Sequence, residues 1–156
     1  MDAPPALLPD DERHLREAIA LAHEARAEGN HPFGAVVVVD GAVIARARNS
    51  VMTGRDATAH AEMNALRATA ATPPERLAQA TLYASTEPCV MCSGAIYWVG
   101  LGRVVYGCSS ETLARLAGGS LLIPCRTIFT RGARRVGVIG PLIEEEAVAA
   151  HHGFWC

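Results

Sequence analysis

Residues 86–94 read Thr86-Glu87-Pro88-Cys89-Val90-Met91-Cys92-Ser93-Gly94. Two cysteines lie three apart, directly behind a proline, in an otherwise apolar segment. Proline suits the start of a helix because its missing N–H would have had no partner there. Residues 89–99 therefore read as a helix, and residues three apart share one face of it. The positive end of the helix dipole favours thiolate over thiol at both positions. Such a pair is a metal clip, a redox couple or two buried thiols, and the rest of the chain has to choose.

Upstream, residues 81–85 read as a short strand and Thr72-Pro73-Pro74 as a break. Residues 59–71 read as a helix capped by Thr58 or Asp56, and residues 51–58 as a polar loop. Residues 35–39 are a near-continuous β-branched run, hence a buried strand, and residues 42–48 an alternating one. Asp40-Gly41 between them is a hairpin turn. Leu15, Ala18, Ile19, Ala22 and Ala25 recur at helical spacing within residues 10–28, and Gly29-Asn30 stops that helix. Downstream come a strand at 103–106, a short helix at 111–116 ended by Gly118-Gly119, a strand at 135–139 and a helix at 144–152. Residues 120–135 carry no clear signal. The order α-β-β-α-β-α-β-α-β-α predicts one α/β domain over residues 1–156, a central five-stranded mixed sheet with helices on both faces. Residues 1–9 are expected to be flexible.

Half of the 156 residues are hydrophobic and 19% are charged, the balance of a globular chain large enough to bury its own core. No run approaches the roughly 18 apolar residues of a membrane span. The first residues show neither a basic region nor a long apolar stretch, so the cytoplasm is the expected location. All fourteen basic residues are Arg, the formal net charge is -2, and the only grouping is Arg126, Arg131, Arg134 and Arg135. A phosphate-binding surface calls for a stronger basic excess, so nucleic acid is not an expected partner. Five cysteines with one close pair do not make a disulfide scaffold. Cys108, Cys125 and Cys156 read as small hydrophobes.

The partner of the cysteine pair is Ala59-His60-Ala61-Glu62 at the start of the preceding helix. One imidazole and two thiolates are a ligand set soft enough for zinc, and three ligands leave a fourth position open for water. Zinc brings the pKa of such a water to roughly 7, and a carboxylate beside it can carry the proton. Glu62 supplies that carboxylate. A redox pair would explain neither His60 nor Glu62.

His60-Ala61-Glu62 followed by Pro88-Cys89-Val90-Met91-Cys92 is the general signature of zinc nucleobase deaminases. The chain resembles the cytidine deaminase-like superfamily, within it the guanine deaminase, cytosine deaminase and tRNA adenosine deaminase branch. The likeness runs from about Leu15 to Tyr106. Its further pieces are His31-Pro32-Phe33-Gly34-Ala35-Val36 and Gly94-Ala95-Ile96-Tyr97-Trp98. The resemblance implies a three-layer α-β-α fold, one Zn2+ held by His60, Cys89 and Cys92, and Glu62 as the catalytic proton carrier. It implies a substrate site at Asn49 and Phe33, at the backbone N–H of Ala61, and at Trp98. The tail Gly153-Phe154-Trp155 is expected to close over that site, from the same chain or from a neighbouring subunit, with Trp155 against the substrate, and a homodimer is implied as well. Glu87 is expected to be buried and supporting. His31 has no evident partner, and His151-His152 read as a solvated helix end.

The implied reaction is hydrolytic deamination of a nucleobase or nucleoside, with guanine the leading substrate. Cytosine, adenosine or an amino-triazine are alternatives, a tRNA adenosine a remoter one, and a catalytically silent zinc-stabilised subunit the non-enzyme alternative. Guanine deaminases of this type carry an acidic segment after the fourth strand. Here residues 117–125 contain no acid, and Glu111 and residues 144–146 are the nearest.

Overall fold

Side chains of the central strands alternate between two cores. The computed structural model describes residues 3–119 and 121–155. In chain order its elements are α1 (Asp11–Ala27), β1 (Gly34–Val39), β2 (Ala42–Arg48), α2 (Val51–Gly54), α3 (Ala61–Arg67), α4 (Pro74–Leu77), β3 (Thr81–Thr86), α5 (Val90–Val99), β4 (Arg103–Cys108), α6 (Ser110–Ala117), α7 (Cys125–Phe129), β5 (Gly137–Ile139) and α8 (Glu144–Ala149). The five strands form one sheet in the order β2-β1-β3-β4-β5. β1 is antiparallel to both β2 and β3, while β3, β4 and β5 run parallel.

On one face Ala35, Val37, Leu82, Ala84 and Val104 meet Ala61, Ala65 and Leu66 of α3, Ile96 of α5 and Phe129 of α7. On the other, Val36, Val38, Tyr83 and Val105 meet Leu15, Ala18 and Ile19 of α1 and Ala147 of α8. This is the period-2 split of strands buried on both sides. Each large aliphatic so enclosed contributes about 1.5–3 kcal/mol. The expected mixed sheet with helices on both faces is what forms.

Local chemistry explains most boundaries. Asp40 and Gly41 take positive φ of 50° and 75° in the hairpin turn. Gly29, at φ 89°, ends α1, and the Asn30 N–H returns to the Ala25 carbonyl. Gly34 is required because a Cβ there would sit 2.1 Å from the Ala18 carbonyl oxygen, so α1 can pack directly on β1.

Three short helices depart from the expectations. α2 stands within the expected loop, because Oδ1 of Asn30 accepts from the Met52 and Thr53 N–H groups. α4 begins at Pro74, inside the expected break. α7 forms in the stretch without a signal, where Oε1 of Glu87 accepts from the Cys125 N–H at its first turn. α3 is shorter than expected, and its N-cap is His60, not Thr58 or Asp56. Asp56 instead holds the N–H and hydroxyl of Thr58. Residues 3–9, the described part of the segment expected to be flexible, are tied to the sheet edge. Arg135 donates to the Ala3 carbonyl and Arg103 to that of Ala6.

Candidate active site

The register of the sheet gathers the singled-out residues, Trp98 excepted, at one end. Gly34 opposes Arg48, Ala35 opposes Ala84, and Thr86 opposes Cys108. Phe33 therefore enters β1, Asn49 leaves β2, Cys89 follows β3 and Ser110 follows β4, all on the side where the parallel strands end. Open α/β sheets bind ligands at these carboxyl ends.

His60 caps α3 and Cys89 caps α5, so both ligand-bearing helices point their first turns at the same spot. Sγ of Cys89 lies 3.6 Å and Sγ of Cys92 3.5 Å from Nδ1 of His60. All three ligand atoms fall within 4.8 Å of one another. Zinc bonds of about 2.3 Å to sulfur and about 2.0 Å to nitrogen, at a tetrahedral angle, separate N from S by about 3.5 Å. The donor set and its spacing thus fit zinc. Hydrogen bonding from Cys92, then from His60, outweighs burial and pulls the Cys89 thiol down to about 4. The same contact and burial push Cys92 up.

Glu62 is 5% exposed and accepts from the Cys92 thiol at 3.5 Å. Burial pushes its carboxyl up to about 7. Asn49, also buried, is fixed from three sides. Its N–H donates to the Phe33 carbonyl, its Oδ1 accepts from the Val51 N–H, and Nδ2 of Asn64 holds the Arg48 carbonyl and the Ser50 hydroxyl on either side of it. The amide nitrogen of Asn49 has no hydrogen-bond partner among the described residues. Ala61 is fully buried as the first residue of α3, where a helix leaves its N–H unused.

A cavity of about 260 Å³ opens beside Cys89, lined by Glu87, Ser110, Leu113, Ala114, Leu121, Leu122, Ile123 and Trp155 among others. Trp155 packs on Phe33 at 6.2 Å and on His31 at 5.7 Å between ring centroids. The tail of this chain thus lies against its own cavity and its own Phe33. A wider groove of about 630 Å³, lined by Pro5, Phe129 and three of the grouped arginines, Arg126, Arg134 and Arg135, among others, contains none of the expected metal, catalytic or substrate residues. Trp98 is not brought to the cavity: it is 84% exposed on α5, against Tyr97.

Several residues behave otherwise than the sequence suggested. His151 is no solvated helix end but 2% exposed, hydrogen-bonded to Thr86 and Trp155. No local pattern announced it. His31 finds its partners in Phe154 and Trp155. Glu111 pairs with Arg115 in solvent, and Glu144 holds the N–H of Ser109, so neither faces the cavity as a replacement acid. Glu87 is buried as expected, and its two oxygens accept from the N–H groups of Ser110 and Cys125. Cys156 lies outside the described residues.

Comparison with known proteins agrees with this geometry. Residues 8–108 match the family model described as the cytidine and deoxycytidylate deaminase zinc-binding region. A probable cytosine deaminase of Schizosaccharomyces pombe is 44% identical over 151 residues, covering 93% of this chain and 92% of its own. A guanine deaminase of Bacillus subtilis is 47% identical over 109 residues, covering 69% of each chain. Among solved structures, one of a tRNA:A34 deaminase that edits A to I at the wobble position superposes with a TM-score of 0.76. It is 32% identical, and the match covers 89% of this chain and 99% of that one.

Proposed function

Because this chain belongs to the cytidine and deoxycytidylate deaminase family of zinc-binding enzymes, we propose that it removes the exocyclic amine of a free nucleobase by hydrolysis. The observation that carries the reading is the cavity of about 260 Å³ beside Cys89, small and mostly apolar, with buried Glu62 and the free amide of Asn49 at the same sheet end. A pocket of that size suits one flat ring system and falls below the usual range for larger ligands.

His60, Cys89 and Cys92 hold the zinc ion, which when bound acts as a Lewis acid that makes water nucleophilic near neutral pH. Glu62 takes a proton from the attacking water and delivers it to a ring nitrogen. Once the C–O bond has formed, Glu62 takes the remaining proton from the added hydroxyl and passes it to the amine, so that the C–N bond breaks, ammonia leaves and the ring keeps a carbonyl. Asn49 orients the ring through its amide, the Ala61 N–H donates to it, and Phe33 and Trp155 wall it.

Two bases compete for first place. The segments His31–Val36 and Gly94–Trp98 favour guanine, as the sequence suggested. The residues that wall the cavity between α6 and α7 present apolar side chains and no carboxylate. They lie beyond Tyr106, and the match to the probable cytosine deaminase spans nearly the whole chain. That favours cytosine. Transfer RNA is disfavoured by the charge balance, although a tRNA-editing relative shares the fold. Among the described residues no helix is long and apolar enough to cross a membrane, and we place the enzyme in the cytoplasm. We take it to act as a homodimer, with exposed Trp98 as a residue the interface would cover; sedimentation velocity at a mass of one chain rejects this.

The deciding assay is ammonia release by the zinc-loaded protein from cytosine, guanine, adenine, their nucleosides, amino-triazines and a tRNA anticodon stem. Turnover of a free base supports the proposal. Turnover of nucleosides or tRNA alone, or of nothing, rejects it.

A further inference from the structure

The C-terminal tail contains a histidine and a tryptophan whose contacts fix each other's chemistry. Nε1 of Trp155 lies 3.1 Å from Nδ1 of His151. An indole N–H can only donate, so Nδ1 must be the bare nitrogen of the ring. The proton of the neutral imidazole is then on Nε2, which lies 2.9 Å from Oγ1 of Thr86 and donates to it. Burial, with His152, Arg26 and His23 nearby, pushes His151 down to about 4, so the ring is neutral at pH 7.

Both ends of this link matter. Thr86 is the last residue of β3, three before Cys89. Trp155 lines the cavity that Cys89 also lines. The imidazole itself is enclosed: Phe33 meets it edge-on at 5.4 Å, and the Trp155 ring lies nearly coplanar with it, at an interplanar angle of 23° and with the centroids 6.1 Å apart. Arg26 of α1 secures the tail on either side by donating to the carbonyls of Ala150 and His152. A ring with one donor and one acceptor, each satisfied, has one orientation, and so does the indole it holds.

We propose that His151 is a positioning residue for substrate binding: locked in its Nε2–H tautomer between Thr86 and Trp155, it aims the Trp155 indole at the cavity beside Cys89, where a planar amino-heterocycle binds. The inference rests on the reading of that cavity as the base site.

The test has one readout that needs no substrate and one that does. The chain has two tryptophans, so its 1H–15N spectrum holds two indole signals, and Trp155→Phe identifies one. His151→Phe keeps a ring but removes both hydrogen bonds. It is expected to shift the Trp155 indole signal, speed its exchange with water, and leave the zinc content native. With the best base from the ammonia assay, it raises KM roughly three- to tenfold, the worth of one hydrogen bond, while kcat stays within about twofold. His151→Asn, whose amide can both accept and donate, recovers part of the KM and part of the indole shift. A native indole signal in His151→Phe overturns the inference. So does a shifted signal with an unchanged KM, and in both cases the deaminase reading survives. A wild-type protein that turns over no base removes the reading and this inference together.

Discussion

Asp11 and Glu62 are carboxylates buried to nearly the same degree, 0% and 5% exposed, yet they are driven in opposite directions. Burial would raise both. Around Asp11 it is overruled: Arg103 donates two hydrogen bonds at 2.7 and 2.6 Å, and the Leu8 N–H and the Tyr83 hydroxyl add one each at 2.7 Å. Its carboxyl is held below the usual range. Around Glu62 the only hydrogen bond from another side chain, among the described residues, is a long one from a thiol, and burial wins. A buried acid with its own guanidinium is a structural fastening, here joining the N-terminal segment, α1, β3 and β4. A buried acid set beside two thiols, with no guanidinium to hold its charge, is not fixed in the ionised form.

The largest test of this contrast is Glu62→Gln. It should keep zinc, by metal analysis, and lose about 10²–10⁴-fold in kcat, the usual worth of a general acid–base group. Turnover near the wild-type rate would end the comparison. Asp11→Asn should do the reverse. It strands Arg103 and should cost about 3–5 kcal/mol in denaturant unfolding, with kcat of the folded protein unchanged. A loss of activity without a loss of stability would show that Asp11 is not merely a fastening.

The same contrast has a pH dependence. Since the pKa of Asp11 is lower folded than unfolded, its contribution is fully present above the unfolded value of 3.8 and is lost as pH falls through the folded one. Acid melts below about pH 4 should therefore separate wild type from Asp11→Asn less and less. A gap that stays constant into that range would contradict the assignment. Asn49→Asp is a subtler probe. It keeps the oxygen that accepts from Val51 but removes the free N–H, so KM should rise by up to about tenfold with little change in Tm. At the small end, Arg46→Ala removes a solvent-exposed ion pair with Glu17 and should stay within about 0.5 kcal/mol of wild type. A larger cost there would mean that surface pairs, and not only the Asp11 cluster, fasten this fold.

What the sequence revealed follows the range over which its signals act. The strand and helix order and the Asp40-Gly41 turn rest on periodicity and on spacings of a few residues, and these were legible; His60, 29 residues before Cys89, was joined to the cysteine pair by its place in a motif and not by a local signal. α2 and α7 were not, because their first turns are satisfied by Asn30 and Glu87 from more than twenty residues away. His151 was misread for the same reason: Thr86 is 65 residues distant in the chain. Trp98 shows another limit. In an apolar helix such as α5, where Ile96, Tyr97, Trp98 and Val99 follow one another, pattern alone does not say which side chain stays in water. Glu62 was found by its place in a motif, while the fastening at Asp11 joins residues 11, 83 and 103, which no motif connects.

The double grip of Glu87 has a consequence for engineering. One oxygen holds the start of α6 and the other the start of α7. The stretch between those helices, which supplies Gly118, Gly119, Leu121, Leu122 and Ile123 to the cavity, is thus clamped near both ends by an acid that also borders the metal ligands. It is a natural cassette: libraries confined to residues 118–123 would resculpt the cavity proposed to take the base while leaving Glu62, Asn49 and their supports untouched.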